Sequence, residues 1–282
     1  MKKLIILVTI LTQAFLLAQA HLLETDQTYV YDSQTNSYTP LGIDDSLTFL
    51  DGQLPTEEPE EDTQQHLIPA HIVHGEDWYQ VSGTQYPYSA ITYIQTKTEQ
   101  CSGAMVGNSA VLTAAHCVYE NGKLANASHI NVYAGRKGSA IHARGKQIFV
   151  LNGYTQYQQS GFDYAIIILT SPIGKQSGYL GSQKVKLEAN KKIRLAGFPN
   201  AKPANNPWLS PGKIMQVFEE KFLFAHDADM LAGSSGSPIF ESQGNRIIGV
   251  NIADSKNNKK IFNVGVTSER LLSFIKEYRD KL

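Results

Sequence analysis

The stretch CSGAMVGNSAVLTAAHC, residues 101–117, has the pattern of two short apolar strands joined by a turn and followed at once by a histidine. Gly107, Asn108 and Ser109 are typical turn residues, and the runs on either side are apolar enough for buried strands. The two cysteines of the chain stand at the two ends of this stretch. A single histidine is more often structural than catalytic. Whether His116 has a catalytic role must therefore be judged from other residues of the chain.

Short strand patterns continue on both sides of this stretch, separated by Gly, Asn and Pro. They predict strands at residues 90–95, 103–106, 130–133, 148–151, 165–169, 192–196, 238–240 and 246–252. The last segment predicts a helix over 268–281, because Leu271, Leu272, Ile275 and Tyr278 recur at helical spacing. No internal repeat and no phosphate-binding glycine loop is present in the sequence.

Two further segments carry residues typical of catalysis. The hexapeptide GSSGSP, residues 233–238, contains a serine between glycines, although by itself it also fits a flexible loop. In FDYAIIIL, residues 162–169, Asp163 directly precedes a buried strand. The order His116, Asp163, Ser235 differs from the Ser, acid, His order of the α/β-hydrolases, and strands without intervening helices also argue against that class.

The motifs resemble those of trypsin- and chymotrypsin-like serine proteases. TAAHC, residues 113–117, matches the histidine motif of that family, and Cys101 stands 16 residues before Cys117, as in the family's disulfide. GSSGSP is similar to the nucleophile loop of the bacterial glutamyl endopeptidase branch. The resemblance covers residues 72–282 and implies an all-β fold of two packed six-stranded antiparallel Greek-key barrels with a C-terminal helix.

The resemblance implies a role for each motif residue. Ser235 would be the nucleophile, His116 the general base and Asp163 the carboxylate that orients the imidazole. The backbone N–H groups of Gly233 and Ser235 would form the oxyanion hole. A disulfide between Cys101 and Cys117 would hold the histidine turn rigid. The expected function is a secreted serine endopeptidase acting on proteins or peptides, and the alternative is a catalytically silent homologue that binds a partner.

The residue preferred before the scissile bond stays open. The resemblance assigns substrate binding to Asp229, Met230, Asn251, Ile252 and Ala253. Asp229 stands where trypsin-like enzymes select basic residues, yet some glutamyl endopeptidases also have Asp there. Met230 and Asn251 replace the Thr and His that glutamyl enzymes typically use, which makes strict Glu selectivity doubtful because each missing hydrogen bond costs about 1 to 3 kcal/mol.

The amino terminus has the organisation of a secretory signal peptide over residues 1–20. Lys2 and Lys3 precede an apolar run, and Ala18-Gln19-Ala20 is a small-x-small cleavage site. The run is short for a membrane anchor, which is the alternative. We expect a secreted protein, with the periplasm as a second possible destination. Two cysteines in an oxidising compartment suggest one disulfide.

A charge boundary divides the exported chain. Residues 21–71 contain eleven acidic residues and no Lys or Arg, whereas residues 72–282 carry 23 basic and 15 acidic residues, a net charge of +8. We expect an acidic propeptide at 21–71 that covers a basic cleft, and a retained acidic tail is the alternative. The peptidase domain, 72–282, would divide into barrels at 85–175 and 176–265 and a helix at 268–281.

Activation by a trypsin-like enzyme is excluded at this junction, because no Lys or Arg occurs between Leu4 and Thr96. Ser234 also replaces the Asp that pairs with the new amino terminus in the trypsin branch. We expect a monomer with no cofactor and no metal ion, since the chain lacks a His-Glu-x-x-His motif of metalloproteases. Nucleic acid is not an expected partner, because Lys and Arg are scattered without an aromatic-basic motif.

Overall fold

The computed structural model describes residues 28–56, 77–257 and 260–281. The predicted signal peptide and residues 57–71 of the acidic segment lie outside the described residues. The strands are β1 (Tyr29–Asp32), β2 (Ser37–Pro40), β3 (Phe49–Leu50), β4 (Tyr79–Gln80), β5 (Ile91–Gln95), β6 (Gln100–Met105), β7 (Ala110–Thr113), β8 (Tyr119–Glu120), β9 (Lys123–Leu124), β10 (Asn131–Ala134), β11 (His142–Leu151), β12 (Ala165–Leu169), β13 (Ser182–Gln183), β14 (Lys192–Gly197), β15 (Trp208–Phe218), β16 (Leu223–His226), β17 (Pro238–Glu241), β18 (Ile247–Asn257) and β19 (Lys260–Thr267). Within these ranges, the helices of more than three residues are α1 (Asn152–Thr155), α2 (Gly174–Ser177) and α3 (Ser268–Tyr278).

Six antiparallel strands close the first barrel in the order β10-β5-β6-β7-β12-β11, and β11 pairs back to β10. Strand β12 is apolar and buried along its whole length, as a central strand of a core should be. It pairs with β7, where Ile166 stands opposite Leu112. The turns that follow β7 and precede β12 therefore lie at the same end of the barrel.

The second barrel repeats this design with β17-β14-β15-β16-β19-β18, closed by pairing between β17 and β18. Its separate core includes Leu195, Ile214, Phe224, Ile239 and Ile248. The predicted fold class, two six-stranded antiparallel barrels with a C-terminal helix, is confirmed.

Helix α3 packs on the first barrel. Phe274 and Tyr278 are buried, and their rings lie 5.4 Å from the Tyr164 ring and 4.1 Å from the Phe149 ring, centroid to centroid. The apolar stripe predicted for this helix is thus a packing surface. No helix in the described part of the chain is long and apolar enough to cross a membrane.

The acidic segment has a folded part. Strand β1 pairs with β2 and with β11 of the first barrel, whereas β3 pairs with β13, which pairs with β18 of the second barrel. Residues 28–56 therefore extend the sheets of both barrels.

Candidate active site

His116 lies in a single 3₁₀ turn, Ala115–Cys117, directly after strand β7. A disulfide joins Cys117 to Cys101 of strand β6, with 6.2 Å between the Cα atoms, as the sequence analysis predicts. The residue that carries the imidazole is therefore flanked by a buried strand on one side and a covalent cross-link on the other. This limits the movement of His116 relative to the first barrel.

Asp163 ends a short turn before strand β12 and is only 6% exposed. Its Oδ1 accepts the backbone N–H of His116 at 2.9 Å, and its Oδ2 lies 2.8 Å from His116 Nδ1. A carboxylate only accepts hydrogen bonds, so Nδ1 carries a proton in this pair. In the neutral imidazole the lone pair is then on Nε2, which suits it to accept a proton from a nucleophile.

The environment raises the pKa of His116 above its ordinary value of 6.5. Burial by itself lowers the pKa, because it disfavours the imidazolium. The hydrogen bond and the negative charge of Asp163, with a smaller contribution from Glu99, outweigh burial. The imidazole therefore has more affinity for a proton than a free histidine.

Two glycines with positive φ shape the loop around Ser235. Gly233 has φ +92° and Gly236 has φ +84°, a region that residues with a Cβ rarely adopt. A Cβ on Gly236 would also lie 2.2 Å from the Ser102 carbonyl oxygen and 2.3 Å from Thr113 Oγ1. The loop of the second barrel thus touches strands β6 and β7 of the first.

Two backbone N–H groups in this loop are left without a carbonyl acceptor among the described residues, namely those of Gly233 and Ser235. Their neighbours are bonded: Ser234 N–H donates to Leu231 at 2.9 Å, and Gly236 N–H donates to Asn251 at 2.7 Å. The unbonded pair comprises the two groups predicted for the oxyanion hole. They are available to a negatively charged oxygen.

Ser235 lies beside the histidine turn. Its carbonyl oxygen is 3.8 Å from Cys117 Sγ and accepts the Ser102 N–H at 2.8 Å. No hydrogen bond between Ser235 Oγ and His116 occurs within the described ranges. Catalytic hydrogen bonds are often long or poorly aligned until substrate binds.

Ser102 is a site residue that the sequence analysis missed. Its buried Oγ donates to the Gly233 carbonyl at 2.7 Å and accepts the Phe198 N–H at 2.8 Å. Its N–H also donates to the Ser235 carbonyl, so this residue of strand β6 holds the loop around Ser235 at both Gly233 and Ser235. Its position next to Cys101 was the available sequence signal.

The predicted specificity residues fall into two groups, of which the first lies before the nucleophile. Asp229 is half-buried, and its Oδ2 accepts the backbone N–H of Asp77 at 3.1 Å. Burial, and then the nearby charges of Asp229 and Asp227, raise the pKa of Asp77. Three carboxyl groups therefore gather close to the position predicted to receive the substrate side chain. Met230 beside them is half-buried.

The second group lies on strand β18 beneath the nucleophile loop. Asn251 is fully buried; its Nδ2 donates to the Ser234 carbonyl at 3.1 Å, and its Oδ1 lies 3.2 Å from His226 Nε2. Ile252 is also buried, and Ala253 pairs with Val264 in the sheet. The amide of Asn251 thus links strand β18 to the loop that carries Ser235.

His226 was also missed by the sequence analysis. It is fully buried in strand β16, and burial lowers its pKa to about 4 despite the hydrogen bond to Asn251. It is therefore neutral at physiological pH, with Nε2–H donating to Asn251 Oδ1. No feature of its local sequence distinguishes it from a structural histidine.

These two barrels, with a histidine–aspartate pair on one and a glycine-bounded serine loop on the other, define the chymotrypsin-like fold class. Residues 77–275 match the family model described as Trypsin, and the chain belongs to the trypsin family.

Several known proteins are similar to this chain. The chain is 30% identical over 180 residues to a glutamyl endopeptidase of Bacillus licheniformis, covering 62% of this chain and 56% of that protein. It is 27% identical over 194 residues to an extracellular metalloprotease of Bacillus subtilis, covering 63% and 60%. The chain thus spans less than two thirds of either relative. A solved structure of a Glu endopeptidase in complex with MPD has a TM-score of 0.66 at 24% identity, covering 74% of this chain and 98% of that one. The predicted resemblance is confirmed.

Proposed function

We propose that this chain is an exported serine endopeptidase that hydrolyses peptide bonds through an acyl-enzyme on Ser235. The observation that carries the proposal is the pairing of His116 with Asp163, in which the backbone N–H and Nδ1 of one residue both bind the carboxylate of the other. This pairing leaves Nε2 as the base. Membership of the trypsin family and the glutamyl endopeptidase named above support the same reaction.

In the proposed reaction, Ser235 Oγ attacks the carbonyl carbon of the substrate while His116 Nε2 takes the hydroxyl proton. The oxygen that becomes negatively charged accepts hydrogen bonds from the N–H groups of Gly233 and Ser235. The imidazolium then gives its proton to the leaving nitrogen as the C–N bond breaks. Water, deprotonated by the same Nε2, then attacks the ester on Ser235, and the imidazolium returns its proton to Ser235 Oγ as the acyl C–O bond breaks. Asp163 stays ionised and stabilises the imidazolium.

Two features support opposite preferences for the residue before the scissile bond. The three carboxyl groups of Asp77, Asp227 and Asp229 favour a cationic side chain, because they would repel a carboxylate. The name of the Bacillus licheniformis relative favours Glu. Cleavage-site profiling on a peptide library distinguishes these preferences, with cuts after Arg or Lys expected in one case and after Glu in the other.

The test of the proposed activity is covalent labelling with a fluorophosphonate probe. We expect the matured chain to be labelled on Ser235 and the Ser235→Ala variant to stay unlabelled, because only an activated serine reacts with such a probe. An unlabelled but folded parent chain that still binds peptides would favour the silent binding homologue instead.

One relative carries the name of a metalloprotease, so a metal-dependent reaction is a second candidate. Within the described residues, the group with three ligand atoms close enough for an ion is Cys101, His116 and Cys117. Both sulfurs of that group are joined in the disulfide, and thiolates are what a metal binds. We therefore expect hydrolysis to continue in excess chelator, and loss of activity that zinc restores would contradict the serine mechanism.

A further inference from the structure

Residues 28–56 are attached to both barrels by backbone pairing. In strand β1, Val30 stands opposite Leu151 of the first barrel. At the other end of the segment, Leu50 stands opposite Ser182, whose strand pairs with the second barrel. Gln53 and Tyr179 exchange two backbone hydrogen bonds of 2.8 Å. This is the way an added strand binds to the edge of a sheet.

The segment also buries side chains of its own. Val30 is fully buried, and Thr28 and Leu41 are 2% and 5% exposed. Arg270 of helix α3 donates to Thr28 Oγ1 at 2.7 Å while its guanidinium lies over the Phe162 ring. Burying an aliphatic side chain such as Val30 removes apolar surface from water and so stabilises the bound segment. The segment therefore shares the core of the first barrel.

Acidic residues of the segment form ion pairs with basic residues of the rest of the described chain, residues 77–281, which we call the body. Asp44 pairs with Lys276 at 2.9 Å, and Asp51 pairs with Arg246 at 2.8 Å. Both pairs are solvent-exposed, so they contribute little energy and chiefly favour one placement of the segment.

Two glycines of the body lie so close to the segment that a side chain would not fit. A Cβ on Gly181 would lie 2.4 Å from the Leu50 carbonyl oxygen, 2.7 Å from Gly52 N and 3.1 Å from the Asp51 carbonyl carbon. All three atoms belong to the segment. A Cβ on Gly178 would lie 2.6 Å from the Gln53 carbonyl oxygen. At Gly181 the absence of a side chain thus makes room for residues 50–52.

The hydrogen bonds and ion pairs described above run to strand β11, helix α3, Tyr179, Ser182 and Arg246, and not to the catalytic residues. Removing the segment is therefore not needed to free the nucleophile. We propose that residues 28–56 are a permanent structural part of the protein, which stays bound to both barrels after the chain is cut between residues 57 and 76. It is an alternative to the expected acidic propeptide at 21–71 that covers a basic cleft, and the experiment below distinguishes the two.

The experiment uses the full chain with a site for a sequence-specific protease in place of residues 58–63. After cutting, we expect the amino-terminal fragment to elute with the body in native buffer and to separate from it in urea, as measured by size exclusion and mass spectrometry. Release of the fragment in native buffer would overturn the proposal.

Variants at glycine test the specific contact. Gly181→Ala should speed dissociation of the fragment at least tenfold, because the added methyl group clashes with residues 50–52. Two matched controls should behave like the parent: a Cβ on Gly42 of the segment meets nothing within 4 Å, and one on Gly244 of the body meets only Glu241 Cβ at 3.9 Å. Equal retention in Gly181→Ala and both controls would contradict the proposed interface.

A second pair of variants guards against misfolding of the body. Val30→Asp changes a fully buried side chain of the segment, whereas Leu54→Asp changes one that is 64% exposed. We expect faster release only for Val30→Asp, with near-ultraviolet circular dichroism of the remaining body unchanged. Equal release rates for this pair would count against the proposal. Retention is measured without a catalytic assay, so failure of the proposed peptidase activity would leave these results interpretable.

Discussion

The proton on His116 Nδ1 is the atom on which the proposed chemistry depends. Asp163 holds that proton and the backbone N–H of the same residue with its two oxygens, so the side chain and the turn are fixed together. The imidazole must be neutral to accept a proton, and the pKa of His116 is raised. The acid limb of kcat/KM is therefore expected above pH 6.5.

Asp163→Asn tests this pairing. The amide cannot keep the same proton on Nδ1, so we expect kcat to fall about 10⁴-fold. Removing the negative charge also removes the largest contributions that raise the pKa of His116, which should move the remaining acid limb to lower pH. A pH–rate profile of both proteins measures the two effects. An unchanged limb would show that another group sets it.

Ser102 is expected to act as a positioning residue for the nucleophile loop. Ser102→Ala leaves the Gly233 carbonyl and the Phe198 N–H without their buried partner, which costs about 1 to 3 kcal/mol per group. Gly233 also supplies one of the two N–H groups proposed for the oxyanion hole. Because its position would shift, kcat should fall about tenfold or more with little change in KM. The control is Ser89→Ala, which removes a buried 2.7 Å bond to the Ser177 carbonyl away from the site. That control should lower stability and leave kcat unchanged; equal kcat losses would contradict a positioning role.

His226 should make folding stability depend on pH. Its folded pKa of about 4 lies below its ordinary 6.5, so the unfolded chain binds a proton first as pH falls. Stability is full above pH 6.5 and is lost between there and about pH 4, by about 3 kcal/mol for this group. Urea unfolding across this range should give a smaller loss for His226→Gln, which can still donate to Asn251. Equal losses would mean that His226 is not buried and neutral.

At the level of secondary structure, strands with a continuous apolar pattern were predictable and interrupted ones were not. The pattern predicts β12 over the residues it occupies, because all five side chains are buried and apolar. Strand β15 was missed, since Pro211 and Gly212 interrupt it. The structure explains the glycine: a Cβ there would lie 2.4 Å from Ala228 N.

Ser102 and His226 were missed because their partners are distant in the sequence. His116, Asp163 and Ser235 stand in local motifs, so a resemblance could indicate them. Ser102 and His226 act through partners 131 and 25 residues away, namely Gly233 and Asn251. Such contacts are created by the closing of the barrels, and apart from the place of Ser102 next to Cys101 they leave no pattern in the neighbouring sequence.

The disulfide between strand β6 and the histidine turn gives a prediction at this scale. Replacing Cys101 and Cys117 together by Ala should lower the free energy of unfolding by about 3 kcal/mol, as expected for a loop of this length. Activity should fall further than stability alone explains, because the turn that carries His116 is released. Urea unfolding and kcat, measured where the variant is fully folded, test this. Full kcat in the folded variant would limit the disulfide to a stabilising role.

For the whole molecule, the near-neutral charge of −1 conceals an acidic segment and a basic body. The sequence indicated this division, whereas local composition cannot reveal strand pairing with residues about 120 positions away. Val30 and Leu151 illustrate the point, because each has an ordinary strand pattern by itself. The fold class could be predicted because the family motifs determine it.

The grip of Ser102 on the nucleophile loop also concerns how the protein is made. The first half of the polypeptide supplies Ser102 and the imidazole, and the second half supplies the reactive hydroxyl. Under the proposed activity, neither half is destructive while the other is still being synthesised or threaded across a membrane. The protease would then become active only once its tertiary structure is complete, which protects the producing cell from its own product.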